Sequence, residues 1–193
     1  MRSVDWTQVE ASHDGDFQKL PVGAYVVRIV GMTDNESKQY VECVYDIAEG
    51  EHAGFYSDDW GLNHPFAHRI ILSYKDSALG MLKGRLEAIT ESNPGFDAEA
   101  AWNGGKLNFF HGKLFGVNLQ EEEYEKNDGS IGTRLNAKQV VAAQKVREGK
   151  CRKLPKKLLD GTTEDEAATP ERITDTVQNV YGTGVQPHVN IPF

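Results

Sequence analysis

Cysteine is scarce in this chain. Cys43 and Cys151 are its two cysteines among 193 residues, too few for a disulfide framework, so reduced thiols are expected. Long apolar runs are missing, and the first residues, Met1-Arg-Ser-Val-Asp-Trp6, lack the hydrophobic segment of a secretory signal. A cytoplasmic protein with no membrane partner is expected. An excess of bases is missing too: 29 acidic against 21 basic side chains leave a net charge of −8, which argues against a generally cationic nucleic-acid binder. The acids are concentrated at the ends. Met1 to Gln18 carries −3, Asp160 to Phe193 carries −5, and the body between them is neutral. A neutral body can still hold a local cationic groove.

Catalytic motifs are also lacking. His64-Pro-Phe-Ala-His68 places two imidazoles four apart, but Pro65 lies between them and no carboxylate motif accompanies them, so loop histidines are expected rather than a zinc site. Glu36-Ser-Lys38 and Glu148-Gly-Lys150 each match half of a magnesium nuclease motif, with Asp58-Asp59 as a further carboxylate source. Matches of two residues are common by accident. Asn103-Gly-Gly-Lys106 has neither the spacing nor the Ser or Thr of a phosphate loop and reads as a turn. The expected protein is not an enzyme and has no cofactor or bound metal.

What is present is a pattern of strands. After the turn at Leu20-Pro-Val-Gly23, Ala24 to Val30 and Gln39 to Ala48 are rich in Val, Ile and Tyr, which suit a pleated, half-buried surface. In the second segment Val41, Cys43, Tyr45 and Ile47 fall on one face, and Tyr40, Glu42, Val44 and Asp46 on the other. The polar linker Thr33 to Lys38 predicts an antiparallel pair. A further turn, Glu49 to Gly54, leads to a predicted third strand over Gly54 to Trp60. Gly61 to Tyr74 reads as a loop ending in a short apolar element.

Asp76 and Ser77 are expected N-caps for a helix marked by Leu79, Leu82, Leu86 and Ile89, with Asn93-Pro-Gly95 ending it. Phe96 to Trp102 reads as a helical turn. Lys113 to Leu119 predicts a fourth strand with Phe115, Val117 and Leu119 on one side. Asp128-Gly129 signals a hairpin into a fifth strand, Ile131 to Val141. Seven bases and one acid then occupy Lys145 to Lys157, and beyond Leu158 large apolar residues are too few to fold. The expected organisation is an extension over residues 1–19, one domain over 20–157, and a disordered acidic tail over 158–193.

Strand, strand, strand, helix, strand, strand is the element order of a five-stranded Greek-key barrel. The expected fold is therefore mainly β and OB-like, with the helix between strands three and four. The ligand face of that fold is strands two and three, with the loops joining one to two and four to five, here Thr33 to Lys38 and Glu125 to Ser130.

Binding single strands takes ring faces for stacking and cations for phosphates along one groove. Arg28, Tyr40, Arg134, Asn136 and Lys138 fall on strand faces opposite the expected core. Lys38, Tyr56, Trp60, Phe66, Arg69 and Lys113 lie at edges or in loops near them. These residues form the candidate nucleic-acid site. Ile191-Pro192-Phe193 is the candidate partner-binding tip: a terminal Phe can bury its ring in a partner's pocket while its carboxylate meets an Arg.

The ending Asn190-Ile-Pro-Phe193 resembles the tip of bacterial single-stranded-DNA-binding proteins, which have an OB-fold body and an acidic tail that recruits replication and repair proteins. Here Gln186-Pro-His-Val-Asn190 stands where that family has acids. Leu20-Pro-Val-Gly-Ala-Tyr25, the Glu49 to Gly54 turn, the helix at Ser77 and Arg134-Leu-Asn136 are similar to a phage-encoded family of replication and recombination modules. The resemblance implies a protein that coats single-stranded DNA in phage replication or recombination and recruits partners through its tip, with homo-oligomerisation left open. The alternatives are a recombination adaptor or DNA mimic that does not bind DNA, and then a metal-dependent nuclease.

Overall fold

The computed structural model describes residues 20–167. Along the chain run β1 (Ala24–Asn35), β2 (Tyr40–Ile47), α1 (Asp59–Asn63), β3 (Arg69–Ser73), α2 (Leu79–Ser92), α3 (Ala98–Asn103), β4 (Leu114–Glu125), β5 (Ile131–Val141), α4 (Ala143–Arg147) and α5 (Glu164–Ala167). The fold is mainly β: a five-stranded antiparallel open sheet in the order β3-β2-β1-β4-β5. Among the described residues no strand pairing closes it into the expected barrel, and β3 and β5 form the two edges. The described residues divide into two compact units, residues 20–120 with 135–154, and residues 121–134 with 155–167. Residues 121–125 of β4 and 131–134 of β5 belong to the second unit.

In the first unit the predicted alternation builds the inner face. Val41, Cys43, Tyr45 and Ile47 of β2 are buried, as are Val27 and Ile29 of β1 and Phe115, Val117 and Leu119 of β4. Helix α2 lays Leu82, Leu86 and Ile89 on that face, and Phe110 and the small residues Ala98 and Ala101 complete the core. Packing of this kind offsets the cost of Gly80 and Gly84 inside α2, about 1 kcal/mol each. At its end, Asn93 Nδ2 donates to Ile89 O at 2.7 Å and to Leu114 O at 2.8 Å, and its Oδ1 accepts from Leu114 N at 2.9 Å. The side chain that stops the helix therefore also fixes the start of β4.

The third strand lies elsewhere than expected. Residues 54–60 pass through turns into α1, and Arg69–Ser73 pairs with β2 instead. Local β propensity at Phe55 and Tyr56 is overridden by long-range bonds. Asp46, on the face opposite Tyr45 and Ile47, is also buried, and its carboxylate accepts from Ile47 N at 2.8 Å and Tyr56 N at 2.9 Å. His68, expected in a loop, is buried. Its ring bridges Tyr45 O and Gly61 O and stacks on Tyr56 at 4.4 Å and 7°. Gly61 permits this approach, since a Cβ there would lie 2.2 Å from Tyr56 O.

Two expected caps are also different. Asp76 and Ser77 form a 3-10 turn with Ala78, and α2 begins after Ala78 with no side-chain cap. In the second unit the described residues reach past Leu158 into the expected tail. Lys157 bridges to Glu122 and Thr163, and Thr163 and Glu166 exchange bonds as a capping box at α5. Residues 1–19 and 168–193, including the Ile191-Pro192-Phe193 tip, lie outside the described residues.

Candidate nucleic-acid interface

The outward side of the first unit's sheet has two unlike halves. Over β1 and β4, residues 141–152 form a cover. Gly116 leaves the space for it, because a Cβ there would stand 2.6 Å from Val146 Cγ2 and 2.8 Å from Val141 Cγ2. Val26 beside it is buried. Asn118, also buried, donates to Gln139 Oε1 at 3.1 Å and to Arg152 O at 2.9 Å. Ala143 N donates to Ser92 Oγ at 2.9 Å, tying α4 to the end of α2. Arg147 holds Glu49 with two bonds of 3.0 and 2.6 Å. Here the base-rich stretch serves the fold.

Over β3, the second half of β1 and residues 40–44 of β2 no such cover exists among the described residues, whereas Asp46, further along β2, is buried. Register places three rungs there: Gly31 with Val44 and Arg69, Thr33 with Glu42 and Ile71, and Asn35 with Tyr40 and Ser73. A β-bulge between Ile29 and Gly31 leaves Val30 unpaired and 39% exposed, and bulges bend and twist a strand. Ile71 is 37% exposed. Two apolar side chains on a wet sheet face offer the platform that bases or another protein would cover.

The predicted residues divide accordingly. Tyr40 lies half-buried on this open face, and Arg28, exposed and without an ion pair among the described residues, stands at its border, between Asp46 of β2 and Leu114 of β4. Arg69 is on the open face too, held by Glu42 at 2.5 Å. Lys38 is exposed in the 3-10 turn between β1 and β2, where Asn35 Oδ1 accepts from its backbone N–H at 3.2 Å. Phe66, 61% exposed, occupies the turn before β3, and Trp60 is in α1.

Five others are placed differently. Tyr56 belongs to the core, not an edge, and burial pushes its hydroxyl pKa up to about 12. Lys113 puts its ammonium 4.6 Å from the Phe96 ring centre. Asn136 and Lys138 are exposed on β5, at the opposite edge of the sheet from β3. Arg134 lies in the second unit, 3.2 Å from Glu122 and 5.5 Å over the Tyr124 ring.

Val30 and Ile71 escaped the sequence reading because an apolar residue in a strand is indistinguishable from core until its face is known.

Among the described residues no three His, Cys, Asp or Glu side chains are grouped to hold a metal ion, and no helix is long and apolar enough to cross a membrane. A shallow groove of about 440 Å³ beside α4 is walled by Tyr25, His52, Val146 and the Arg147–Glu49 pair. Its two carboxylates, Glu49 and Glu51, make it a poor phosphate site. No protein-family model and no curated protein matches this chain.

Proposed function

We propose that this protein binds single-stranded DNA without chemical turnover, in the setting of phage replication or recombination, with the strand lying across the outward face of β1, β2 and β3. The sheet is then an OB-like barrel whose closing seam falls between β3 and β5. The reading rests on one contrast. The same sheet is sealed over β1 and β4, yet carries Arg69, Val30 and Ile71 exposed beside the half-buried Tyr40 on its other half, with Arg28, Lys38 and Phe66 at the margins. Cations, a ring and apolar side chains interleaved on one face suit a phosphate backbone with splayed bases.

Titration with oligo-dT tests it. Binding should weaken as salt rises, because each phosphate contact releases a counterion. Arg28→Ala with Tyr40→Ala should weaken it in every sequence alike. Absence of binding at low salt removes the proposal. The tail forms the second part of the reading, with Ile191-Pro192-Phe193 recruiting replication or recombination proteins. A variant lacking these three residues that still captures the same purified partner removes that part.

A second reading, an adaptor that does not bind DNA, is favoured by a specific observation. Arg147, Lys150, Lys156 and Lys157, from the most basic stretch of the chain, are each held by a carboxylate. Tip-dependent partner capture without oligo-dT binding would select it.

A further inference from the structure

Arg85 is the one half-buried arginine of the first unit that lacks a carboxylate partner among the described residues. It leaves α2 beside Leu82 and Leu86, which are buried on the sheet, and its Nη1 donates to Ile71 O at 2.5 Å. That is its single hydrogen bond among the described residues, and it makes no ion pair there. A guanidinium has five N–H donors. The residues three and four positions away on the helix, Met81, Leu82, Ala88 and Ile89, are all uncharged. Its neighbour Cys43 does not compensate, since burial pushes that thiol to about 12 and keeps it neutral. Burial also lowers the pKa of Arg85 itself, the mark of a charge stripped of water.

The other arginines with defined surroundings differ. Arg69 and Arg147 each meet a carboxylate, and Arg28 is exposed to water. A partly desolvated, permanently charged group with one neutral acceptor is costly unless an anion completes it. The location says where that anion comes from. Ile71 belongs to the edge strand β3, which has a neighbour, β2, on one side. Its side chain stands on the open face, on the rung next to Arg69. A chain crossing from β1 over β2 to β3 passes Arg28 and Arg69 and leaves the sheet at the Arg85 guanidinium.

We infer that the β3 edge at Ile71 is a phosphate subsite, in which Arg85 takes a backbone phosphodiester of the strand bound on the β1, β2 and β3 face. The inference rests on the single-stranded-DNA reading and adds a contact from a helix that such a face does not otherwise involve. Free phosphate has the same chemistry, so the test includes both sources.

The experiment compares wild type, Arg85→Met and Arg85→Lys. Methionine keeps an unbranched stem and removes the charge. With oligo-dT at low salt, Arg85→Met should bind about tenfold more weakly. Its log affinity should fall with log salt at a slope smaller by about 0.7, the loss of one single-strand phosphate contact. Arg85→Lys should restore the slope and part of the affinity, because charge returns without the planar fork. Urea unfolding controls for the fold: a merely structural Arg85 would lower the midpoint and leave the slope unchanged.

Wild-type binding with affinity and slope unaltered in Arg85→Met overturns the subsite and leaves the DNA reading standing. No wild-type binding overturns both. Inorganic phosphate, followed at the Arg85 Nε–H resonance, distinguishes the sources: saturation by phosphate without any effect of Arg85→Met on oligo-dT assigns the site to free phosphate and overturns its assignment to the strand.

Discussion

Arg69 of β3 and Glu42 of β2 are diagonal neighbours on the open face, guanidinium to carboxylate at 2.5 Å. A phosphate reaching Arg69 must therefore displace Glu42. Exposed pairs of this kind contribute about 0.2–1 kcal/mol. Glu42→Gln should raise affinity for oligo-dT by up to about fivefold and steepen its salt dependence. Unchanged affinity would mean that the strand does not reach Arg69.

Asn93 substitutes for a strand neighbour at Leu114, bonding both its N–H and its C=O. Asn93→Ala leaves both groups without that partner and should cost about 2–3 kcal/mol. Urea unfolding measures this as a lower midpoint with the same m-value. A loss below about 0.5 kcal/mol would show that water replaces the amide without penalty.

Gly116 allows Val141 and Val146 to lie against the sheet. Gly116→Ala should destabilise by about 1–3 kcal/mol, since the added carbon meets side chains of the cover at close range. Combining it with Val146→Ala should return part of that loss, so the two substitutions should be non-additive in a double-mutant cycle. Strict additivity would contradict the packing described here.

The Glu49–Arg147 pair adds a pH dependence. The hydrogen bond from Arg147 holds the Glu49 carboxyl below its ordinary range, against the opposing effect of burial. A carboxyl with a folded pKa below its unfolded value stabilises the fold above the ordinary glutamate range, near pH 4.5, and loses that contribution as pH falls through the folded value. The pair is solvent-exposed, so the effect is modest. The urea midpoint of wild type should exceed that of Glu49→Gln at neutral pH, with the gap closing below about pH 4.5. A gap that widens toward acid would reverse the sign argued here.

Much of the fold was legible from local pattern. The period of two in Val41 to Ile47 and in Phe115 to Leu119 identified the inner face, and the hairpin at Asp128-Gly129 led to a fifth strand with the observed bounds, Ile131–Val141. Thr163-Glu-Asp-Glu166 was legible as a capping box and would have placed α5. The outward facing of Arg28 and Tyr40 and the turn position of Lys38 could be read in advance, because they follow from strand parity and a polar linker.

The chain's own pattern thus determined which residues line the core, since alternation is a property of neighbours in sequence. Tertiary structure alone decided what covers the other side. Tyr56 went inward because Asp46, ten positions earlier, accepts its N–H, and His68 followed to bridge Tyr45 and Gly61. Residues 141–152 sealed one half of the sheet and left the other open. Which cations meet a carboxylate was likewise set by partners far apart in the chain, 27 residues for Arg69 and Glu42 and 98 for Arg147 and Glu49. Charge acts through space over a few ångströms, so its pairing depends on how the strands are brought together and not on the order of residues along any one of them.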